Sequence, residues 1–368
     1  MFKGKFSINT DFLSALLKPA SPPMIGVDIS SSSVKMVELV ASGKGRYRLE
    51  RYTIEPLPKD AVVDGNIMNL EEVGDAVRRG WKRMGSRAKH LSMALPAAAV
   101  ITKKIVVPAG QTEDQLEAQV ETEANQYIPF ALEEVNLDFQ ILGPAPNSTE
   151  DVEVLIAASR KEKVEDRVAV AESVGLKAAV MDIDSFAAQN AFELMQTLLP
   201  DGGRDQVVAV VDIGATMMNI NALRNNQSVY LREQPFGGMQ LTQEIMRHYN
   251  LSADEAEAAK RGGGLPDTYE AEVLAPFMDN LALEIARALQ FFFTSTQYSQ
   301  IHRLYLSGGT ATIPGLAEVV AERTQVPTEV ANPFSTMDVS SRVRQAQLAV
   351  DAPALLVACG LALRRFDA

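Results

Sequence analysis

With one cysteine, Cys359, in 368 residues, the chain has no partner for an internal disulfide and too few thiols for a thiolate metal site. Such usage suits the reducing cytoplasm. Histidine is nearly as scarce: His90, His248 and His302 stand apart with no carboxylate or cysteine at ligand spacing, which leaves them surface or core roles. Basic charge is also short. The 35 Lys and Arg face 47 Asp and Glu, a net charge of −12, whereas a general nucleic-acid binder carries the opposite excess. The longest apolar run, Ala352 to Leu363, falls short of the roughly 20 residues that span a bilayer and contains Pro353 and Gly360. At the amino terminus, Lys3 and Lys5 precede apolar residues broken by polar ones, with no small-residue cleavage site, so secretion is not expected.

What is present points to a large folded chain. Hydrophobic residues make up 46% and charged residues 22%, an ordinary globular balance. The length exceeds the roughly 250–300 residues at which one core stops growing, so two or three domains are expected. Residues 1–23 stand apart as an appendage: Phe12, Leu13, Leu16 and Leu17 share one side of a short helix ended by Pro19, Pro22 and Pro23. It reads either as a membrane-surface or partner-docking helix or as a frayed end.

An apolar strand, Met24 to Ile29, then meets a hydroxyl-rich turn, Ser30 to Ser33, and returns as Val34 to Val40, with a third strand from Tyr47 to Ile54. A helix follows with Val73, Val77, Trp81 and Met84 on one face, acids at its start and Arg78, Arg79, Lys82 and Arg83 near its end. Residues 91–160 read as an inserted α+β unit of two strands, a helix and two strands. Its helix starts at the capping box Thr112 to Gln115 and carries Leu116, Val120, Ala124 and Tyr127 on one face. Residues 24–90 and 161–200 make a first half, and the polar stretch Pro200 to Asp205 precedes a second half over 201–368. There the opening pattern recurs: a strand from Val207 to Ile213, a turn of small residues, and a strand from Met218. Asp28 aligns with Asp212 at 212 − 28 = 184 residues, so two related halves are expected.

Each aligned strand ends in Asp before a turn of Ser or Gly, where backbone N–H groups converge into an anion nest. Facing tips would grip a polyphosphate, with Ser30, Ser31, Ser32, Ser33 and Lys35 on one side and Gly214, Ala215 and Thr216 on the other. Asp28 and Asp212 beneath them suit Mg²⁺ held through water. Gly237 and Gly238 precede a helix whose first N–H groups either meet phosphate or simply begin the helix. A third element, Leu304 to Thr310, is a buried strand ending in Gly308 and Gly309, which let a flat ring approach the backbone.

These three elements, in this order, resemble the actin-like ATPase superfamily over nearly everything after residue 24. The fold this implies is α/β, a duplicated actin-like (ribonuclease H-like) ATPase fold with an inserted α+β subdomain. The cofactors implied are ATP and Mg²⁺. The resemblance places Gly308, Gly309 and Thr310 at adenosine, with Glu257 and Lys260 beside the adenosine and ribose. Ser30 and Ala215 replace the usual loop glycines, and no clear water-activating residue is evident, so turnover is expected to be slow. Asp182 and Asp184 lie near the segment where relatives carry such a residue, and read equally as a strand end and a helix cap.

Within the superfamily the chain is most similar to the PilM family of type IV pilus assembly proteins. The likeness is carried by GVDISSSSVK at 26–35, EPLP at 55–58, QYIPF at 126–130, ANPF at 331–334 and GLALR at 360–364. It implies an ATP-binding scaffold at the cytoplasmic face of the inner membrane, attached through its partners. The partner implied is the cytoplasmic amino-terminal peptide of a PilN-like inner-membrane protein, seated between the first half and the insert. Other pilus assembly proteins and self-association are expected with it, and nucleic acid is not. The alternative is a sugar-type kinase, which needs a base aimed at an acceptor hydroxyl and a polar pocket; no such pocket stands out between Leu91 and Gly143.

Overall fold

The computed structural model describes residues 22–43, 45–146 and 148–367, so the amino-terminal helix reading falls outside the described residues. In the first half, β1 (Met24–Ile29), β2 (Ser33–Gly43) and β3 (Arg46–Pro56) form an antiparallel meander, and β4 (His90–Leu95) lies parallel to β1. The second half repeats this plan. There β9 (Val207–Ile213), β10 (Met218–Arg224) and β11 (Gln227–Gln234) form the meander, with β12 (Arg303–Ser307) parallel to β9 and β13 (Thr328–Val330) beyond it. In the first sheet the matching outer strand is β8 (Lys177–Ile183), parallel to β4. Register preserves the 184-residue repeat: Asp28 lies opposite Lys35, and Asp212 opposite Asn219.

The central strands β1, β9 and β12 form because their residues are apolar on both faces, as expected of sheets covered by helices on both sides. Over the first sheet, α1 (Leu70–Met84) buries Val73, Val77 and Met84 against Ile25, Val34 and Met36. The Asn69 side chain accepts from Glu72 N at its start, and Gly85 in the left-handed region ends it. In the second half the core is lined by Phe277, Leu281, Ile285 and Phe292 of α7 (Ala275–Ser295).

The inserted unit is smaller than expected. The strand expected to open it at residue 91 is β4, which pairs on both sides within the main sheet. The insert's own sheet begins with β5 (Val100–Pro108) and is completed by β6 (Val135–Pro144) and the central β7 (Asp151–Arg160). One helix, α2 (Glu113–Tyr127), covers it through Leu116 and Val120, with both halves of the capping box formed. Tyr127 is exposed rather than inward, with the Lys103 ammonium over its ring. The chain turns after it and Ile128 takes the buried place.

The carboxyl-terminal end corrects the second boundary. The short strand β14 (Asp338–Val339) joins β3 in the first sheet, and α10 (Leu356–Leu363) packs on β1 and on α4 (Asp184–Gln196). A Cβ on Gly360 would stand 1.7 Å from Ala187 O, and one on Gly26 would stand 2.2 Å from Ala358 O, so these backbones touch. The two halves therefore share a core in which Phe192, Leu355 and Cys359 lie between Val37 and Leu39 of one sheet and Val208 and Val210 of the other. The helical stretch Gln345–Phe366 has the length and mean hydropathy (1.8) of a membrane span, yet 67% of its apolar window is buried in this shared core.

Candidate nucleotide site

The two tips are equal in length and bonding. Ile29 pairs with Val34 and Ile213 with Met218, which leaves four residues in each turn. Ser30 N donates to Ser33 O at 3.0 Å, and Gly214 N donates to Met217 O at 2.9 Å. Across the cleft, Thr216 Oγ1 donates to Ser31 Oγ at 3.3 Å, so the halves meet at the tips. The Ser30 amide and hydroxyl are both directed to Ser33 O, which makes Ser30 a shaper of the turn. Ser32 O accepts from Leu57 N and ties the first tip to the end of β3.

Charge gathers beneath the tips. Lys35, expected at phosphate, donates to Asp28 Oδ2 at 2.7 Å and to Ser30 Oγ at 3.2 Å. Burial alone would lower the Lys35 pKa, but Asp28 and Asp212 outweigh it and raise the pKa, keeping the ammonium charged. Asp212 accepts from Ser307 Oγ at 3.0 Å, and its carboxyl is pushed up by burial. Of the two aspartates left open by sequence, Asp182 bonds Arg364 at 2.6 Å and is structural. Asp184 starts α4, accepts from the amides of Ala97 (3.0 Å) and Ser185 (2.6 Å), and is pushed up to about 7 by burial, then by Asp28.

Glu233 of β11 is raised by burial, against which the Ala98 amide across the cleft works. Sequence gave no signal for Glu233, nor for Arg167, a 2% exposed guanidinium that donates to Ala94 O, Lys163 O and Gly65 O. The acids gathered here outnumber the cations, a setting whose oxygen donors suit a hard divalent ion. Among the described residues no three His, Cys, Asp or Glu side chains form a ready-made metal cluster, so such an ion would rely on water and phosphate oxygens.

The second half supplies the other wall. Gly308 has φ +87°, and a Cβ there would stand 2.3 Å from Ile213 O, so only glycine lets this turn lie against β9. Thr310 Oγ1 donates to Gly214 O at 2.9 Å, which fastens this turn to the second tip. The amides of Gly237 and Gly238, expected at phosphate, are already engaged: Gly237 N donates to Gln240 Oε1 at 2.9 Å and Gly238 N to Gly214 O at 3.0 Å. They buttress the tip from the start of α5 (Gly238–Tyr249). Glu257 and Lys260, on α6 (Ala253–Gly262), pair at 2.5 Å, and both bond Thr242 at 2.8 Å. Although burial works against it, the bond from Lys260 holds the Glu257 carboxyl below its ordinary value.

A second feature lies at the root of the insert. A cavity of about 220 Å³ is lined by Ile101, Ile128, Phe130, Val135 and Ala158, with Arg160 and Lys163 also on its wall. The short turn Ala97–Ala99 forms another part of that wall. Its Ala97 amide is the one bonded to Asp184, so one turn touches both the cavity and the acids beneath the tips.

Two halves of one ribonuclease H-like topology, with opposed tips and a glycine turn beside the second, define a protein of the actin-like ATPase fold. A family model for the type IV pilus assembly protein PilM matches residues 26–366, and the chain belongs to that family. Among solved structures it is similar to one described as a PilM–PilN type IV pilus biogenesis complex, at 30% identity and TM-score 0.78, covering 94% of this chain and 99% of that one. It is similar in fold alone to the ethanolamine utilization protein EutJ from Carboxydothermus hydrogenoformans, at 17% identity and TM-score 0.55, covering 93% and 89% of the two chains.

Proposed function

We propose that this protein is a nucleotide-responsive scaffold of type IV pilus assembly, which binds Mg-ATP between its tips and a PilN-like peptide at the root of its insert. The observation that carries the reading is the Ala97–Ala99 turn, shared between the acids of the cleft and the wall of the cavity. At about 220 Å³ the cavity is smaller than the roughly 300–1,000 Å³ of small-molecule pockets. It suits the side-chain anchors of an extended peptide, and the outer strands β5 and β6 of the insert offer backbone groups for strand addition. The relative solved with PilN supports a partner of that kind, which would hold the protein at the cytoplasmic face of the inner membrane.

The residues fit a nucleotide in the following roles. Amides of both tips hold the phosphates, Asp28 and Asp212 orient a hydrated Mg²⁺, and Gly308, Gly309 and Thr310 with the Glu257–Lys260 pair flank the adenosine. Bound magnesium supplies charge neutralisation among the acids. Ser31 and Thr216, which now meet across the cleft, would have to part to admit a polyphosphate between the tips, and that would change the angle between the halves. Asp184 in the first half and Glu233 in the second transmit that change through Ala97 and Ala98. Calorimetric titration of a PilN amino-terminal peptide, with and without Mg-ATP, tests the reading: binding in neither state removes the scaffold assignment. The kinase alternative is not favoured by family membership, and sugar-dependent release of ADP would revive it.

A further inference from the structure

At the end of the first sheet away from the tips, β1, β4 and β8 begin level with one another, with Met24 beside His90 and His90 beside Lys177. The carboxyl-terminal turn of α1 arrives at the same end, where Arg51 Nη1 donates to Met84 O and Gly85 O and ties the helix to β3. Residues 78–89 hold six Lys and Arg and no acid, on a molecule whose net charge is −12. Arg79 and Arg83 are exposed but pair with the buried Glu55 nearer the tips, at 3.6 and 3.0 Å, and so stand outside this end. The Lys89 ammonium lies 4.0 Å from the centre of the Trp81 ring. Lys82, Arg87 and Lys177 are exposed, and none makes an ion pair among the described residues.

Lys82 in the last turn of α1, Arg87 and Lys89 just before β4, and Lys177 at the start of β8 thus stand at one end of the sheet, a pattern that suits a broad negative surface. An acidic body with one basic edge is also oriented by such a surface, which repels the rest of the molecule. We propose that this basic edge docks directly on the anionic face of a lipid bilayer, leaving the tips at the far end of the sheet turned to the cytosol. The contact needs neither nucleotide nor partner peptide, so it stands or falls apart from the scaffold reading.

Co-sedimentation of the full chain with phosphatidylcholine vesicles, with and without phosphatidylglycerol, tests it. The protein is expected to bind only the anionic vesicles and to release in high salt, because screening shortens the reach of these charges. The triple variant Lys82→Gln, Arg87→Gln, Lys177→Gln is expected to bind at least about tenfold more weakly, since each cation near such a surface contributes about fivefold. A matched triple on the second half, Arg247→Gln, Arg287→Gln, Arg323→Gln, removes the same charge and is expected to bind like wild type. Equal loss in both triples, equal binding to uncharged vesicles, or no binding by wild type overturns the proposal. Loss on deleting residues 1–21 with none in the edge triple moves the contact to the amino-terminal segment and overturns it too. Duplex DNA bound as tightly, with the same loss in the edge triple, would make the edge a general polyanion site and overturn the lipid assignment.

Discussion

At the residue scale, burial decides what each carboxylate can do. The Asp184 carboxyl is pushed from its ordinary 3.8 to about 7, first by burial and then by Asp28. The folded chain therefore holds a proton that the unfolded chain gives up, and stability falls as pH rises through that window and levels off above it. Asp184→Asn keeps an acceptor for the Ala97 and Ser185 amides and removes the cost of ionisation. Without nucleotide, it is expected to melt above wild type at about pH 8, by a margin worth a few kcal/mol at most, and to converge with wild type near about pH 4. An equal margin at both pH values would mean that titration of Asp184 is not the cause. Asp212 makes the complementary case. Mg-ATP at a hundredfold excess over its dissociation constant is expected to stabilise the wild type by about 2.7 kcal/mol, roughly 5–10 °C in melting temperature. Asp212→Ala is expected to lose that shift, and an unchanged shift would place the nucleotide elsewhere.

At the element scale, the close packing of α10 on α4 and β1 joins the halves. Gly360→Ala would bring a methyl group to 1.7 Å from Ala187 O, so the helices must separate. Urea denaturation is expected to show a loss of about 3 kcal/mol or more, in the range of overpacked cores. A loss below about 1 kcal/mol would show that α10 shifts freely. The tips govern turnover. Ser30 directs both its amide and its hydroxyl to Ser33 O, and Ala215 O accepts from Met239 N at 2.7 Å, so both tips are braced internally. Steady-state phosphate release is expected below the roughly 1–100 per second of kinases. A rate within that range would identify an efficient catalytic group in the cleft.

At the scale of the whole molecule, nucleotide and peptide act on one equilibrium between open and closed halves. ATP shifts it only by its differential affinity for the two forms. If the Ala97–Ala99 turn reports closure to the cavity, peptide and Mg-ATP must raise each other's affinity by one common factor, expected to exceed about fivefold, or roughly 1 kcal/mol. Glu233→Gln is expected to reduce this factor while leaving nucleotide binding near wild type, and paired calorimetric titrations would show it. An undiminished factor in the variant would remove Glu233 from the link.

Local patterns were legible wherever neighbours in sequence set the structure. The capping boxes at Thr112 and Ser252 form as read, because they join residues three apart. The tips and their 184-residue repeat form as read too, since apolar strands and small turns specify a hairpin without distant help. Contacts that depend on folding of the whole chain were not legible. Lys35 donates to Asp28, the Gly238 amide donates to Gly214 O, and Tyr127 passes the edge of a sheet too small to cover it. The sequence by itself determined the elements, the duplication and the residue types of the tips, because hydrophobic period and turn chemistry are local. Only the tertiary structure decided that β4 belongs to the main sheet, that the chain after Asp338 returns to the first half, and that Asp184 and Glu233 converge on one turn. Strand pairing and burial across such separations depend on the packing of the whole chain, which no local pattern records.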